Sequence, residues 1–281
     1  MLRVAIPNKG QLSDPAREML REAGYTAAAT SRELVVQDPD NDVEFFFLRP
    51  RDIATYVASG TLDVGITGQD MLADSGVSAD EVLELSFAPS TFRLAAPVGT
   101  AKSIKDANGK RIATSYAGIL ANWLAAEGIN AEIVKLDGAV ENAVRLGVAD
   151  FVADVVATGT TLKQAGLEVV GEPIFKSQAI LVARPDLTDR SEVDVFVRRL
   201  QGVIVARTYV LVDYDIPNDL VEQACTITPG IESPTVSALH DSQWSAVRAM
   251  VPRKNVHAVM DELYDLGARG VIVTDIHACR I

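Results

Sequence analysis

The sequence predicts an α/β fold of two units in series, followed by a small C-terminal ferredoxin-like βαββαβ domain. Three observations indicate this. Short β-branched or aromatic runs alternate with amphipathic segments from residue 2 onward, which is typical of sheets covered by helices. The same alternation restarts after residue 90, which indicates a second α/β unit. After Gly202 the order of predicted elements changes to that of a split βαβ domain.

The first unit opens with the predicted strand "LRVAIP". A helix is predicted from Ser13, with proline in its first turn, and Gly24 is expected to end it. Strands are predicted at "VEFFFLR" and "LDVGITG". Between them, "RPRDIATYVASG" is predicted as a helix with Ile53, Tyr56 and Val57 on one face. The strand segment "EPIFKSQAILVARP" and the helix "VDVFVRRLQG" are expected to return the chain to this unit later.

The second unit has predicted strands at "RIATS", "AEIVKL" and "FVADVV". Helices are predicted at "ILANWLAAEG" and "GAVENAVRLGVAD". In the latter, Val140, Ala143, Val144 and Val148 form an apolar stripe at helical spacing. Spacing alone leaves Glu141 open to two interpretations, a solvated helix residue or a member of a site.

The C-terminal segment begins with a predicted long strand, "VIVARTYVLVDYDIP". A short helix "NDLVEQAC", a loop "TPGIESPT", strands "TVSALH" and "WSAVRAMVP", a helix "NVHAVMDELYDLGA" and a strand "RGVIVTDIHA" follow. The predicted domains are residues 1–90 with 180–204, residues 91–179, and residues 205–281.

Composition argues against several classes of function. The chain has 26 Lys and Arg against 38 Asp and Glu, a net charge of −12, and no basic run, so no nucleic-acid partner is expected. No stretch approaches the roughly 18 apolar residues of a membrane helix, and no signal-peptide core is evident, so we expect a cytoplasmic protein with no membrane partner. The two cysteines and three histidines lack metal-ligand spacing and are interpreted as structural.

The segment "DFVADVVATGTTL", residues 150–162, contains the first candidate site. A strand delivers a small loop to a predicted helix start, where free N–H groups favour an anion. Thr158, Thr160 and Thr161 add hydroxyl donors, and Gly159 permits close approach of the backbone. The pattern is equally compatible with a plain helix N-cap.

Asp150 and Asp154 are four residues apart, which places them on one side of an extended strand. Asp154 lies within an apolar run and needs a partner, because an unpaired buried charge is expensive. Sugar hydroxyls or hydrated magnesium are suitable partners. A ligand that carries both a phosphate and a ribose would account for the whole segment.

Polar residues also follow the strands of the first unit. Lys9 and Gly10 lie in the turn "PNKG" after the first strand, Arg49 follows "EFFFL", and Asp70 follows "GITGQ". Open α/β sheets bind ligands at the carboxyl ends of their strands, so these residues are expected to converge. Taken alone, Lys9 would be interpreted as a solvated turn residue, and the expected convergence of the three strand ends is what favours a site.

Residues 141–162 resemble the motif of ATP phosphoribosyltransferases, E-x5-G-x-A-x-x-V-x-D-V-x-x-T-G-x-T-L. Similarity also covers "AIPNKGQLS", "VEFFFLRPRDIATYVASGTLDVGITGQD", "LDGAVE" and "TPGIESPT", which together span most of the chain, and the C-terminal domain is similar to that of the long, actinobacterial form. The fixed motif positions are met by Glu141, Gly147, Ala149, Val152, Asp154, Val155, Thr158, Gly159, Thr161 and Leu162.

The resemblance implies that N1 of ATP attacks the anomeric carbon of phosphoribosyl pyrophosphate with Mg²⁺ assistance, in the first step of histidine biosynthesis. By this resemblance the loop from Thr158 to Thr161 holds the 5-phosphate, and Asp154 with Glu141 lies at the sugar. Positions lining the nucleotide and pyrophosphate region, which the resemblance also assigns, are Lys9, Gly10, Arg49, Asp70 and Tyr116.

The resemblance further implies two α/β lobes like those of type II periplasmic binding proteins, with the active site in the cleft between them. It also implies a C-terminal domain that binds histidine as a feedback inhibitor, and an assembly of dimers into hexamers. The inhibitor contacts carried over are Asp215, Ile231, Ser233, Thr235 and Gly270. Relatives commonly have Tyr-Pro-Asn after the "RIAT" strand. This chain has Ala117 and Gly118 in the last two places, so a more flexible loop is expected after Tyr116. The alternatives to a regulated transferase are a non-catalytic two-lobed binding protein and a catalytically silent regulatory subunit.

Overall fold

The computed structural model of the protein describes residues 1–26, 34–156, 159–186 and 190–280. The chain forms two compact units. The first contains Met1–Arg21 and Tyr25–Asp194, and the second contains Glu22–Gly24 and Val195–Ile281. The first unit holds a six-stranded and a five-stranded sheet, and the second holds a four-stranded sheet. In the described part of the chain, no helix combines the length and the apolar character needed to span a membrane.

The six-stranded sheet and its helices form what we call the first lobe. Its strands are β1 Leu2–Pro7, β2 Val35–Asp38, β3 Val43–Leu48, β4 Val64–Gly68, β5 Asp80–Glu84 and β11 Ala179–Ala183. The helices are α1 Ser13–Glu22, α2 Pro50–Ala58 and α3 Gln69–Ser75. The strand order is β2-β3-β1-β4-β11-β5, with β1 parallel to both β3 and β4. The carboxyl ends of these three strands therefore meet at one edge.

The five-stranded sheet and its helices form the second lobe. Its strands are β6 Ser90–Pro97, β7 Arg111–Thr114, β8 Glu132–Lys135, β9 Phe151–Val156 and β10 Leu167–Ser177, in the order β10-β6-β9-β7-β8. The helices are α4 Ala117–Glu127 and α5 Thr160–Gln164. The chain passes to the second lobe between β5 and β6 and returns between β10 and β11, because β11 pairs with β4 and β5.

The second unit has the predicted βαββαβ order. After α6, Ser191–Thr208, it contains β12 Tyr209–Pro217, α7 Val221–Ile227, β13 Thr235–Ala238, β14 Trp244–Pro252, α8 Val256–Leu266 and β15 Arg269–Asp275. The sheet is antiparallel, in the order β13-β14-β12-β15. Alternate residues of β12, from Val210 to Ile216, are buried in a core shared with α7 and α8. The fold class predicted from the sequence is confirmed.

The long strand predicted from Val203 was wrong at its start. Residues up to Thr208 continue α6, and β12 begins only at Tyr209. The β-branched run Val203-Ile204-Val205 favours a strand by propensity. However, Phe196, Leu200 and Val203 are buried at helical spacing, so packing overrides that preference.

The helix predicted over "GAVENAVRLGVAD" was also wrong. Only a single 3₁₀ turn forms at Val140–Asn142, followed by further turns. Ala139 before it and Gly147 after it both have positive φ angles, of 51° and 74°, which interrupt a helix. Val140 and Ala143 of the predicted stripe are buried, whereas Val148 is exposed. In α2, Ile53 and Val57 are buried as predicted, but Tyr56 is 42% exposed because it lies off the helix's buried face.

Candidate active site

A cleft of about 280 Å³ opens at the carboxyl edge of the first sheet. Its walls come from the turn after β1, the start of α3, the end of β10 and the residue before α4. Two predicted strand-end residues, Lys9 and Asp70, line it together with Gly10 and Tyr116. The remaining lining residues are Gln11, Leu12, Pro50, Gly68, Met71, Ala88, Ser90, Val155, Ser177 and Gln178.

Lys9 and Gly10 lie in the turn between β1 and α1, where Gly10 has a φ of 77°. Arg49 caps α2 without a side-chain hydrogen bond, and its side chain is exposed. It lies next to Pro50, which lines the cleft, but is not itself a lining residue. The three strand-end residues thus share one sheet edge, and two of them reach the cleft.

Asp70 is 5% exposed at the start of α3. Its Oδ1 accepts hydrogen bonds from the Ser177 hydroxyl, at 2.9 Å, and from the Met71 N–H, at 2.9 Å. The carboxylate folds back over Gly68, where any β-carbon would overlap Oδ1. Glycine at 68 is therefore a steric requirement of this carboxylate position.

Tyr116 is buried at the N-cap of α4 and forms one wall of the cleft. Its ring lies 4.3 Å from the Arg51 guanidinium carbon and 5.5 Å from the Phe92 ring. Burial, together with the negative charge of Asp70, raises the pKa of Tyr116, so the phenol stays protonated. The prediction of a more flexible loop after Tyr116 was wrong, because α4 begins directly at Ala117.

A second cavity of about 200 Å³ lies at the end of β9. Gly159, with a φ of 74°, is the N-cap of α5 and lines it with Thr161, Glu141 and Asp154. Thr160 is the first residue of α5 and is exposed. Thr158 lies outside the described residues. Gln11 and Val155 line both cavities, so the two spaces adjoin.

Asp154 is a partly buried carboxyl within β9. Its Oδ1 accepts the N–H of Val155 at 2.8 Å. Burial is the main cause of a raised Asp154 pKa; the negative charge of Glu141 adds to it, while the Val155 N–H and the charge of Arg51 oppose it. Burial therefore disfavours the ionised form of Asp154. A ligand that brings a positive charge or a hydrogen-bond donor would stabilise that form.

These carboxyls are compatible with magnesium supplied together with a phosphorylated ligand. Within residues 1–26, 34–156, 159–186 and 190–280, no group of three or more His, Cys, Asp or Glu side chains is arranged to hold a metal. Mg²⁺, however, is often bound through one or two carboxylates plus substrate phosphates and water. Glu141 and Asp154 on one cavity provide such a pair.

Asp150 does not share the environment of Asp154. It precedes β9, and its carboxylate accepts hydrogen bonds from the side chain of Arg111, at 3.2 and 3.4 Å, and from the Arg111 N–H, at 3.0 Å. These bonds lower the Asp150 pKa. Asp150 is thus paired with Arg111 and is not among the residues that line the two cavities.

Two of the C-terminal candidates, Asp215 and Gly270, form a close pair. A β-carbon at Gly270, which has a φ of 59°, would lie 3.8 Å from Asp215 Oδ2 across β12 and β15. Thr235 is on β13, two strands from Asp215, and its register places it level with Asp213. Ile231 and Ser233 are exposed on the loop after α7.

Several residues of the cleft were missed by the sequence interpretation. Gln11 follows the "PNKG" turn directly, and its polar side chain was the one available signal. Ser177 comes from the end of a strand 107 residues away from Asp70, so no local pattern identifies it. Arg51 and Tyr116 belong to different elements, so their contact depends on the tertiary fold and no local sequence pattern indicates it.

Fold and site together define a two-lobed α/β protein with two adjoining cavities. The family model "HisG: ATP phosphoribosyltransferase" matches residues 49–202, and the model "HisG, C-terminal domain" matches residues 206–278. The chain belongs to the ATP phosphoribosyltransferase family, the transferases of the first step of histidine biosynthesis.

Full-length relatives agree with this assignment. The chain is 63% identical to the ATP phosphoribosyltransferase of Pseudarthrobacter chlorophenolicus over 284 residues and 58% identical to that of Streptomyces coelicolor over 285, covering 100% of each chain. A solved ATP phosphoribosyltransferase (HisG:HisZ) complex from Thermotoga maritima matches 73% of this chain and 98% of its own, with 30% identity and a TM-score of 0.64. The catalytic interpretation is thereby supported over a non-catalytic binding protein.

Proposed function

We propose that this transferase binds ATP in the 280 Å³ cleft and phosphoribosyl pyrophosphate at the 200 Å³ cavity, and transfers the phosphoribosyl group between them. The observation that supports this is the common wall of the two spaces, Gln11 and Val155. A bond between two substrates requires their reacting atoms to approach to about 3–3.5 Å. Adjoining cavities at the ends of β1 and β9 support this proposal, because ligands bound in them would be neighbours.

The donor is proposed to bind with its 5-phosphate on the loop of Thr158, Gly159, Thr160 and Thr161. Backbone N–H groups at the start of α5 and the threonine hydroxyls supply donors to phosphate oxygens. The carboxylates of Asp154 and Glu141, which line the same cavity, then accept from the ribose hydroxyls. A ligand with phosphate at one end and hydroxyls at the other matches both sets of groups.

The nucleotide is proposed to bind against Tyr116 and Asp70, with Lys9, Gly10 and Arg49 toward its phosphates and the leaving pyrophosphate. The buried phenol supplies an aromatic wall for a base, and Lys9 supplies a positive charge at the cleft rim. Arg49 is exposed beside the cleft, in a position to meet a phosphate that extends beyond it.

The reaction then needs no covalent intermediate with the protein. The N1 lone pair of adenine forms the new bond to the anomeric carbon, and the bond from that carbon to pyrophosphate breaks, with the electron pair leaving on the pyrophosphate oxygen. Positive charge that develops on the ribose ring is stabilised by the nearby carboxylates of Asp154 and Glu141. The chain contributes by positioning both substrates and by these charges.

Magnesium is proposed as the metal, held by substrate oxygens with Glu141 and Asp154 as the protein ligands. When bound, it would neutralise the pyrophosphate charge and so improve the leaving group. This fits a protein that offers two carboxylates at the cavity rather than a complete metal cage.

Regulation is proposed to reside in residues 205–281, with residues 1–90 and 180–204 forming one catalytic lobe and residues 91–179 the other. Histidine is proposed to bind there with its α-amino group paired to Asp215, near Gly270, and with Ile231, Ser233 and Thr235 as further contacts. We further propose a cytoplasmic homo-oligomer, dimer or hexamer. A histidine site completed by a second copy would explain why Thr235 lies two strands from Asp215 in one chain.

The test of the activity is direct. The purified protein is mixed with ATP, phosphoribosyl pyrophosphate and Mg²⁺, and both the change in adenine absorbance and the release of pyrophosphate are followed. Equal amounts of the two products support transfer. Pyrophosphate release without a modified adenine would instead indicate hydrolysis of the donor, and no turnover under any metal or salt condition would refute the activity.

A further inference from the structure

Asp74 joins the two lobes of the first unit. It lies in α3 of the first lobe, and its side chain is 12% exposed. Its Oδ1 accepts hydrogen bonds from the N–H groups of Gly118 and Ile119 in the second lobe, at 2.8 and 3.3 Å. These are two of the N–H groups that the first turn of α4 leaves without helical partners, so the carboxylate caps a helix of the other lobe.

Arg51 connects the same carboxylate to the wall of the cleft. Its Nη1 donates to Asp74 Oδ2 at 3.0 Å, and the guanidinium carbon lies 4.3 Å from the centre of the Tyr116 ring. The guanidinium is therefore fixed by the Asp74 carboxylate on one side and by the ring on the other. Arg51 belongs to α2 of the first lobe, whereas Tyr116 is the N-cap of α4 in the second.

Gly118 is the residue that permits this contact. A β-carbon there would lie 2.5 Å from the Asp74 carbonyl oxygen and 3.2 Å from Asp74 Oδ1, so α3 and α4 could not approach as they do. Met71 and Ala73 of α3 also pack against the core of the second lobe. Three independent features thus meet at one place: the cap, the stacked arginine and the close approach at glycine.

We propose that Arg51 and Asp74 are positioning residues that fasten the two lobes together and hold Tyr116 in place in the cleft. This rests on the proposed function in one respect, the role of Tyr116 in nucleotide binding. The fastening itself is independent of the reaction and can be measured without substrate. Neither residue lines the cleft, so their effect on the reaction is transmitted through Tyr116 and α4.

The experiment combines hydrogen exchange with kinetics on the full chain. Asp74→Ala removes the cap, so exchange in peptides covering residues 116–124 should become at least about tenfold faster for the Gly118 and Ile119 amides. Asp74→Asn retains an acceptor oxygen but loses the charge opposite Arg51, so it should leave this exchange near wild type. The KM for ATP should rise about tenfold, with a smaller change in kcat, in Asp74→Ala, Asp74→Asn and Arg51→Met. Arg51→Lys, which keeps the charge, should recover part of the loss.

Asp80→Asn is the matched control, because it breaks an exposed ion pair, Arg190 to Asp80 at 2.6 Å, that includes neither Arg51 nor Asp74. It should change neither exchange nor KM. Unchanged exchange in folded Asp74→Ala would overturn the fastening, and should that variant fail to fold, Gly118→Ala provides the same test by forcing the helices apart. Faster exchange with an unchanged KM would overturn the positioning of Tyr116. An inactive wild-type protein would refute the proposed function, while the exchange result would still decide the fastening.

Discussion

Ser177 and Asp70 exchange two hydrogen bonds across the cleft floor. The Ser177 hydroxyl donates to Asp70 Oδ1 at 2.9 Å and accepts the Asp70 N–H at 3.0 Å. Ser177 ends β10, the strand from which the chain returns to the first lobe. One hydroxyl therefore fixes both the carboxylate of Asp70 and the first turn of α3, in the cleft that Tyr116 also lines.

Replacing Ser177 by alanine should weaken nucleotide binding. The change leaves the buried Asp70 N–H without its partner and frees the carboxylate, a loss on the order of 1–3 kcal/mol. We expect the KM for ATP to rise about tenfold, since about 1.4 kcal/mol corresponds to a factor of ten. Ser59→Ala serves as the control, because that hydroxyl is bonded in an exposed turn. An unchanged KM in Ser177→Ala would show that Asp70 is held adequately by its other partners.

Asp154→Asn should lower activity and raise stability. Because Asp154 is a proposed ligand of the ribose and of the metal, the substitution should lower kcat/KM about 100-fold or more. The folded-state pKa of Asp154 is raised, mainly by burial, so its contribution to stability is fully present below the unfolded pKa and is lost as pH rises through the folded pKa. At neutral pH the asparagine variant, which still accepts from the Val155 N–H, should therefore melt at a higher temperature than the wild type. The difference should disappear in acid, which thermal unfolding across pH 4–8 would reveal.

Asp150→Asn should show the opposite pattern. The Arg111 side chain and N–H lower the Asp150 pKa, so the stability that this carboxylate contributes is present above its unfolded pKa and lost as pH falls through its folded value. The variant should melt slightly below the wild type at neutral pH, by a few degrees at most because the pair is partly exposed. The gap should close in acid, and turnover should stay near wild type. A large loss of activity would place Asp150 in the site after all.

The sequence predicts elements well where local pattern and packing agree. The strand "FVADVV" and the helix "ILANWLAAEG" are examples, since their propensity and burial coincide. It fails in two places where tertiary contacts decide. Val203–Thr208 has the composition of a strand but the buried spacing of a helix, and residues 138–148 have helical spacing but a left-handed residue at Ala139.

The candidate site likewise contains residues that local sequence pattern predicts and residues that only the tertiary fold brings together. Lys9, Asp70 and Gly159 could be predicted because strand ends and helix starts are visible in the sequence, and parallel strands bring their ends together. Ser177, Arg51 and Asp74 could not, because each acts on a residue of another element through side-chain geometry alone. Gly118 illustrates the difference most clearly. From the sequence it suggests a flexible loop, whereas in the fold it lies where α3 and α4 approach each other closely.

Removal of magnesium should stop the reaction without unfolding the protein. In the described part of the chain no group of three or more ligands could hold a metal, so the ion is expected to arrive with substrate. Excess chelator should abolish turnover, and added Mg²⁺ should restore it. In the absence of substrate, the melting temperature should be the same with and without chelator. A lower melting temperature in chelator would show that a metal contributes to the fold.

Asp215→Ala should relieve inhibition by histidine while leaving the uninhibited rate near wild type. The proposed pair between the Asp215 carboxylate and the histidine α-amino group is charge-assisted, worth about 1.5–3 kcal/mol, so the half-inhibitory histidine concentration should rise at least about tenfold. Gly270→Ala should act in the same direction, because it adds a β-carbon 3.8 Å from Asp215 Oδ2 at a φ of 59° that alanine adopts only with strain.

Asp213→Asn is the control. Asp213 lies on the same face of β12 as Asp215 but is bonded to Arg248 at 2.6 Å, and its loss should not alter inhibition. Inhibition curves for the four proteins, measured at fixed ATP and donor, decide the matter. Equal inhibition of Asp215→Ala and wild type would move the effector site away from this edge of the sheet.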